Sequence, residues 1–153
     1  MVPNDFIRQA VEEAIPVHKF LGVELIEIRK GYVKIRIPFR DEIVGDPRTK
    51  RWHGGILATV IDSVGGIIGT TYMSSFQDKI STIDLRVDYL KGAESSAIIA
   101  DGELVSLGNR IMVTKMKVYQ EDTNVLLAEG KGVYNFIRMQ EGVEIYDFIE
   151  QKN

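Results

Sequence analysis

The sequence has 153 residues, of which 44% are hydrophobic and 27% are charged, and its formal net charge is -3. This length suits one globular domain, and the acidic balance lacks the basic surface with which most nucleic-acid and anionic-membrane binders neutralise phosphates. Because the chain contains no cysteine, disulfides, thiolate nucleophiles and the usual structural zinc sites are excluded.

The distribution of charge also bears on location. No apolar run reaches the length of about 18 residues that a membrane span requires, and acidic and basic residues interrupt the first 14 positions, where a signal peptide would be apolar. We therefore expect a cytoplasmic protein that does not enter the membrane. Two histidines, His18 and His53, are too few for a histidine-rich metal centre unless carboxylates complete it, and we expect no metal or cofactor.

The first part of the chain predicts a short helix and a hairpin. Residues from about 3 to 14 suit a helix, which Pro16 discourages from continuing. Residues 23–28 and 32–39 predict two strands joined at Lys30-Gly31, because apolar side chains alternate with polar ones along the second segment. Residues 41–52, with glycine, proline and several basic side chains, predict a loop.

A long helix is predicted from His53 to about Tyr72, and its two faces differ. One face carries apolar residues at helical spacing: Leu57, Ile61, Val64 and Ile68. The other carries mostly small or polar residues at the same spacing: Gly55, Thr59, Asp62, Gly66, Gly69 and Met73. Because glycine costs roughly 1 kcal/mol relative to alanine within a helix, the presence of Gly65, Gly66 and Gly69 in one helix predicts that other groups approach its backbone closely.

Four strands are predicted after the helix, over 81–90, 97–107, 111–120 and 125–136, and the last three are joined by tight turns. A sheet of two strands before the helix and four after it can curl around that helix, which predicts an α+β fold. We expect one domain over residues 1–153, with a core of about 20–136. Residues from about 138 to 153 suit either a short helix or a loose extension.

The stretch from Trp52 to Gly66 carries the chemical signal. In His53-Gly54-Gly55, two residues without side chains lie at a helix start, where unpaired N–H groups can meet a negatively charged oxygen. Asp62 follows His53 by nine residues, on the small face of the helix. An acidic side chain is costly there unless it is paired or takes part in chemistry.

This combination resembles the phenylacetyl-CoA thioesterase-like branch of the hotdog superfamily, whose signature is HGG, a helix, and an acidic residue nine positions beyond the histidine. The strand from Thr82 to Leu90 and the glycine-containing turn from Ser106 to Arg110 are similar to other parts of that family. The resemblance covers roughly residues 20–136. It implies a hotdog fold, in which a curved antiparallel sheet wraps around a long central helix.

The resemblance also implies roles for individual residues. Asp62 would act as general base on water or as nucleophile, the backbone N–H of Gly54 would polarise the thioester carbonyl, and Thr82 would orient the water or the carboxylate. Many family members have Asn or Gln six residues before the histidine. This chain has Pro47 there, which offers no donor.

The expected substrate is an acyl- or aryl-acetyl-CoA, whose phosphates require cationic partners. Basic residues and the turn glycine in or beside loops are the candidates, namely Arg48, Lys50, Arg51, Lys91, Gly108 and Arg110. His53 and Gly55 are further substrate-binding candidates, although His53 equally suits the fixing of the helix start. Reasonable walls for the acyl group are the apolar residues Trp52, Val64, Ile68, Tyr72 and Met73.

Two other functions are compatible with this fold. An acyl-CoA hydratase or dehydratase would use His53 as the base. Those enzymes resemble a different spacing between histidine and acid from the one in this chain. A non-catalytic acyl-CoA-binding regulatory module would need the pocket without Asp62, so the pairing of Asp62 with Thr82 favours an enzyme.

Helix geometry predicts a shared active site. Gly54 and Asp62 are eight residues apart, which is about 12 Å along a helix, too far for one thioester carbonyl and its attacking water to reach both. A two-fold partner with an antiparallel helix would bring Gly54 of one copy beside Asp62 of the other, with the axis near Ala58. We therefore expect a homodimer with two shared sites, and a dimer of dimers as the larger assembly.

Overall fold

A computed structural model describes residues 4–139, so the predicted C-terminal extension beyond Met139 lies outside the described residues. The helices are α1 (Asp5–Arg8), α2 (Pro16–Leu21) and α3 (Gly54–Thr70). The strands are β1 (Glu24–Arg29), β2 (Tyr32–Ile37), β3 (Val44–Asp46), β4 (Arg51–Trp52), β5 (Lys79–Tyr89), β6 (Ile98–Leu107), β7 (Ile111–Gln120) and β8 (Leu126–Ile137).

The N-terminal segment is helical, as predicted, but it contains a second helix that the sequence analysis missed. The Asn4 side chain caps α1, which continues into a π-helical turn over Gln9–Glu13. Pro16 then opens α2 at its first turn, where a missing N–H costs nothing, and Gly22 ends it with a φ of 70°. Proline therefore stops one helix and starts the next.

Six strands form one antiparallel sheet in the order β1-β2-β6-β7-β8-β5. All six were predicted, and their bounds differ from the prediction by at most two residues. The predicted turns join β1 to β2, β6 to β7 and β7 to β8 as antiparallel neighbours. Within residues 4–139, β5 pairs with β8 alone, so it is an edge strand of the described sheet, and none of its 11 residues is buried.

The long helix α3 lies against this sheet. Its predicted apolar face is the one that packs, since Leu57, Ile61, Val64 and Ile68 are all buried among side chains of the sheet. The helix contacts β2, β5, β6, β7 and β8. This arrangement of a curved sheet around a central helix is the hotdog fold, which confirms the predicted fold class.

The predicted loop 41–52 contains regular structure. A 3-10 turn over Asp41–Ile43 leads into the small hairpin formed by β3 and β4. The Trp52 indole N–H donates to the Ser96 carbonyl at 2.9 Å, and the His53 N–H donates to the Ile43 carbonyl at 2.9 Å. These contacts fix the chain immediately before α3 begins.

No helix among residues 4–139 is both long enough and apolar enough to cross a membrane.

Candidate active site

The start of α3 leaves one backbone donor unused. The first four N–H groups of a helix have no acceptor four residues earlier within it. In α3 these groups belong to His53, Gly54, Gly55 and Ile56, and three of them have another partner. The His53 N–H bonds to Ile43, the Gly55 N–H donates to the His53 Nδ1 at 2.9 Å, and the Ile56 N–H donates to the His53 carbonyl. Within residues 4–139, only the Gly54 N–H of these four has no acceptor, so it is available to an oxygen of a ligand.

His53 is the N-cap of α3. Its Nδ1 accepts a hydrogen bond, so the neutral ring carries its proton on Nε2. The structure therefore gives His53 the helix-fixing role that was one of its two predicted uses. Gly55 was a candidate donor to substrate, but its N–H is already engaged in this cap.

A cleft of about 270 Å³ opens beside Gly54. The Tyr89 hydroxyl donates to the Gly54 carbonyl at 2.6 Å, which ties the edge strand to the helix start. The rest of the cleft is lined by Trp52, Leu57, Leu90, Lys91, Gly92 and Ala93. Lys91 is the one basic residue among those that line this cleft within residues 4–139.

Asp62 lies in a different cleft, of about 380 Å³. The Thr82 hydroxyl donates to the Asp62 Oδ1 at 2.8 Å, so a residue of β5 holds the carboxylate in one orientation. The Tyr134 hydroxyl donates to the Asp62 backbone carbonyl at 3.2 Å. Asp62 and Thr82, predicted together from the family resemblance, are thus in direct contact.

Two further residues of this cleft were not predicted, Tyr134 and His18. Burial raises the pKa of the Tyr134 phenol, and the neighbouring Asp62 carboxylate raises it further, so Tyr134 stays a neutral donor. His18 is buried and donates through Nδ1 to the Val11 carbonyl at 2.8 Å, and burial lowers its pKa. The sequence around Tyr134 and around His18 predicts only a buried position. No local pattern therefore distinguishes these two from other buried residues.

The glycines of α3 have different neighbours. A Cβ on Gly65 would lie 1.9 Å from the Tyr134 hydroxyl oxygen, and one on Gly69 would lie 2.6 Å from Ile80 Cδ1. These two positions confirm the predicted close approach to the helix. Among residues 4–139, no atom lies within 4 Å of where a Cβ on Gly66 would be, so packing within this part of the chain does not require a glycine there.

The clefts with Gly54 and Asp62 share no lining residue. Their separation along α3, about 12 Å for eight residues, matches the spacing from which a shared site was predicted. One copy of the chain therefore presents an amide donor and a carboxylate at two separate places.

The predicted cationic residues divide between the two ends of the sheet. Lys91 follows β5 at the Gly54 end, where Arg51 pairs with Glu94 at 3.1 Å. Arg48 pairs with Asp46 at 3.1 Å and is 87% exposed. Gly108 and Arg110 lie in the turn before β7. The first residue of β7, Ile111, is level across the sheet with Ser81, which lies near the start of β5 and thus at the end of that strand away from Lys91. They do not form one cluster within a single chain.

The residues predicted as walls of an acyl pocket lie in different parts of the structure. Val64 and Ile68 are completely buried on the core face of α3, and neither lines the Asp62 cleft. Ile67 lines it instead, one position away from Ile68 on the helix, and so does the predicted Met73. Trp52 lines the Gly54 cleft, and Tyr72 packs with the second buried cluster of the chain.

No group of three or more histidine, aspartate or glutamate side chains within residues 4–139 is placed to hold a metal ion. The Asp62 carboxylate can accept a proton from water or attack an electrophile, and an open helix N–H can stabilise a developing negative oxygen. These are the two elements required for acyl transfer to water.

Comparison with known proteins places this chain in a family. The model of the thioesterase superfamily matches residues 50–127. A putative esterase of Halobacterium salinarum is 32% identical over 128 residues, which cover 78% of this chain and 83% of that protein. A protein of Salmonella typhimurium named medium/long-chain acyl-CoA thioesterase YigI is 27% identical over 120 residues, covering 71% and 77%.

The fold agrees with solved structures. A protein from Shewanella oneidensis, described as related to the thioesterase superfamily, aligns with a TM-score of 0.74 and 27% identity. The alignment covers 85% of this chain and 92% of that one. The sequence match, the structural match and the hotdog fold lead to one conclusion: this chain belongs to the thioesterase superfamily.

Proposed function

We propose that this protein hydrolyses the thioester of an acyl-CoA to the free acid and CoA. The observation that carries the proposal is the Asp62 carboxylate, held by the Thr82 hydroxyl at 2.8 Å in a cleft with largely apolar walls. An acyl-CoA thioesterase among the relatives supports the substrate class.

Asp62 is the catalytic carboxylate of the proposed reaction. As general base it takes a proton from water, whose oxygen bonds to the thioester carbon. As nucleophile, it would form that bond itself, and water would then release the acid. In either case the C–S bond breaks, and the CoA thiolate receives a proton. Thr82 fixes the carboxylate, and the Gly54 N–H stabilises the negative charge on the carbonyl oxygen.

The active site is completed by a second copy of the chain in this proposal. In the described part of the chain, strand β5 has an unpaired edge and no buried residue, which suits antiparallel pairing with the same strand of another copy. A two-fold axis near Ala58 would bring the Gly54 cleft of one copy beside the Asp62 cleft of the other. A dimer of dimers would retain both of these shared sites.

The same dimer would bring the predicted cationic residues of two copies close together around CoA. Lys91 and Arg51 lie at the Gly54 end of one copy, and Arg110 lies at the Asp62 end of the other. Arg110→Glu should therefore raise KM for acyl-CoA more than it lowers kcat. It should have little effect on a short thioester without the nucleotide. An equal loss with both substrates would instead indicate a structural role for Arg110.

The central test is Asp62→Asn, which keeps the shape of the side chain and removes its basicity. We expect turnover of acyl-CoA to fall by at least about a hundredfold, the usual scale for the loss of a general base. Thiol release measures the rate, and circular dichroism checks the fold. Retained thiol release would refute the role of Asp62, and hydration of crotonyl-CoA would favour the hydratase reading instead.

The shared site has a separate test. Asp62→Asn and Gly54→Pro each inactivate one half of every site, and proline does so by removing the N–H itself. After subunit exchange, a heterodimer contains one site with both groups intact, so mixing should restore activity. If exchange is verified and activity stays at the level of the parents, each site must be built from one chain.

A further inference from the structure

Gly66 of helix α3 borders the open space of the Asp62 cleft. Gly66 follows Asp62 by four residues and precedes Thr70 by four, so all three lie on one face of α3. The residue lines the Asp62 cleft, and a Cβ there would meet no atom of the described residues within 4 Å. Glycine within a helix is less favourable than alanine. The neighbouring Gly65 and Gly69 are explained by contacts inside the chain, and Gly66 is not.

The cleft over Gly66 is a groove along α3. Its floor is the helix, with Ser63 and Thr70 on either side of Gly66. One wall comes from α2 and the residue before it, and the other comes from β5. From Asp62 to Thr70 the groove follows eight residues of helix, which corresponds to about 12 Å.

The groove continues into an apolar cavity of about 190 Å³. The two share four lining residues: Ile15, Ile67, Thr70 and Met73. The other residues around the cavity come mainly from α1 and the π-helical turn, and all are apolar: Phe6, Ile7, Ala10, Val11, Ile28 and Phe76. Thr70 supplies the one polar side chain at the boundary, and its hydroxyl already donates to the Ile67 carbonyl at 2.6 Å.

We propose that the groove over Gly66 and the apolar cavity beyond Thr70 bind the straight acyl chain of the substrate, so that Gly66 and Thr70 determine the preferred chain length. This inference rests on the proposed thioesterase activity. The path begins at the carboxylate that would act on the thioester, and it ends among side chains that offer no hydrogen bonds. A linear hydrocarbon needs none. A short aryl-acetyl group would end before Thr70 and leave the cavity empty.

The test is a chain-length series, from butanoyl-CoA to dodecanoyl-CoA, measured by thiol release. Burial of each methylene is worth about 0.8 kcal/mol, or roughly fourfold in kcat/KM at most. The wild-type protein should therefore favour decanoyl-CoA over butanoyl-CoA. In Gly66→Leu, the ratio of the two kcat/KM values should fall by about tenfold or more, the loss expected when about two methylenes are no longer buried. Gly66→Ala should give a smaller change in the same direction.

A second variant, Thr70→Phe, tests the junction without touching Gly66. It should also lower the decanoyl-to-butanoyl ratio, whereas Thr70→Val, which removes the hydroxyl but adds no bulk, should preserve it. If Gly66→Leu does not fold, this pair of Thr70 variants makes the same comparison. Gly66→Ala also has a stability readout, because the helix gains propensity and Tm should rise by about 2 to 4 °C.

The outcomes separate the two proposals. An unchanged ratio in both Gly66→Leu and Thr70→Phe would overturn the acyl groove and leave the thioesterase intact. An equal loss for all chain lengths, with a changed molecular mass in solution, would show that a second copy of the chain fills the groove. That result would also overturn the inference. If the wild-type protein released no thiol from any acyl-CoA, the proposed function itself would fail.

Discussion

Gly65→Ala and Gly66→Ala are the same chemical change at adjacent positions of α3, and we expect Gly65→Ala to be the less stable variant. The methyl group at position 65 would lie 1.9 Å from the Tyr134 hydroxyl oxygen and 2.5 Å from its Cζ. Tyr134 is only 1% exposed, so its ring has little room to move away. The methyl group at position 66 meets no atom within 4 Å in the part of the chain that the structure describes.

The magnitude follows from two terms. Both variants gain roughly 1 kcal/mol from replacing glycine within a helix, so this term cancels between them. Inserting a methyl group into a packed site costs about 1 to 3 kcal/mol, and only Gly65→Ala pays it. Gly66→Ala should therefore be more stable than Gly65→Ala by about 1 to 3 kcal/mol.

Urea unfolding measures this difference. The chain has one tryptophan, Trp52, which is buried, so its fluorescence reports unfolding. Both variants must be compared at the same protein concentration, because unfolding of an oligomer depends on it. If Gly65→Ala were as stable as Gly66→Ala, the packing of Tyr134 against α3 would not explain Gly65, and the contrast drawn with Gly66 would fail.

Three further predictions concern the surroundings of the site. Burial lowers the pKa of His18, so below its ordinary value of 6.5 the unfolded chain binds a proton that the folded chain does not. Stability should fall with pH below about 6.5, by up to about 1.4 kcal/mol per unit down to the folded pKa, and His18→Gln should reduce this slope in urea titrations. Thr82→Val removes the hydrogen bond to Asp62, so kcat should fall about tenfold with little change in KM; an unaltered kcat would remove Thr82 from the mechanism. Gln120→Leu leaves the Glu94 N–H and Ser96 without a buried partner and should lower the free energy of unfolding by about 1 to 3 kcal/mol, unlike the matched exposed change Gln77→Leu.

Local sequence patterns were enough to predict most of the fold. The six strands of the sheet alternate apolar and polar residues or lie between clear turn signals, and α3 repeats its apolar residues every three to four positions. Short elements were missed for a physical reason. Helix α2 and the hairpin of β3 and β4 are too short to show a period, and they are held by contacts such as that of Trp52 with Ser96.

The candidate site divides in the same way. The sequence by itself predicted Asp62 and Gly54 from the HGG motif and its spacing to an acid, and Thr82 from the strand that follows, because these patterns are local and resemble a known family. The tertiary structure alone placed Thr82 on the Asp62 carboxylate, added Tyr134 and His18 to the same cleft, and engaged the Gly55 N–H within the cap. It also showed that Tyr134 occupies the space beside Gly65, whereas the space beside Gly66 is open among residues 4–139, although the two glycines are neighbours in sequence. Which side of a helix receives a neighbour depends on residues far along the chain, as with the 72 positions between Asp62 and Tyr134, and such contacts leave no local pattern to read.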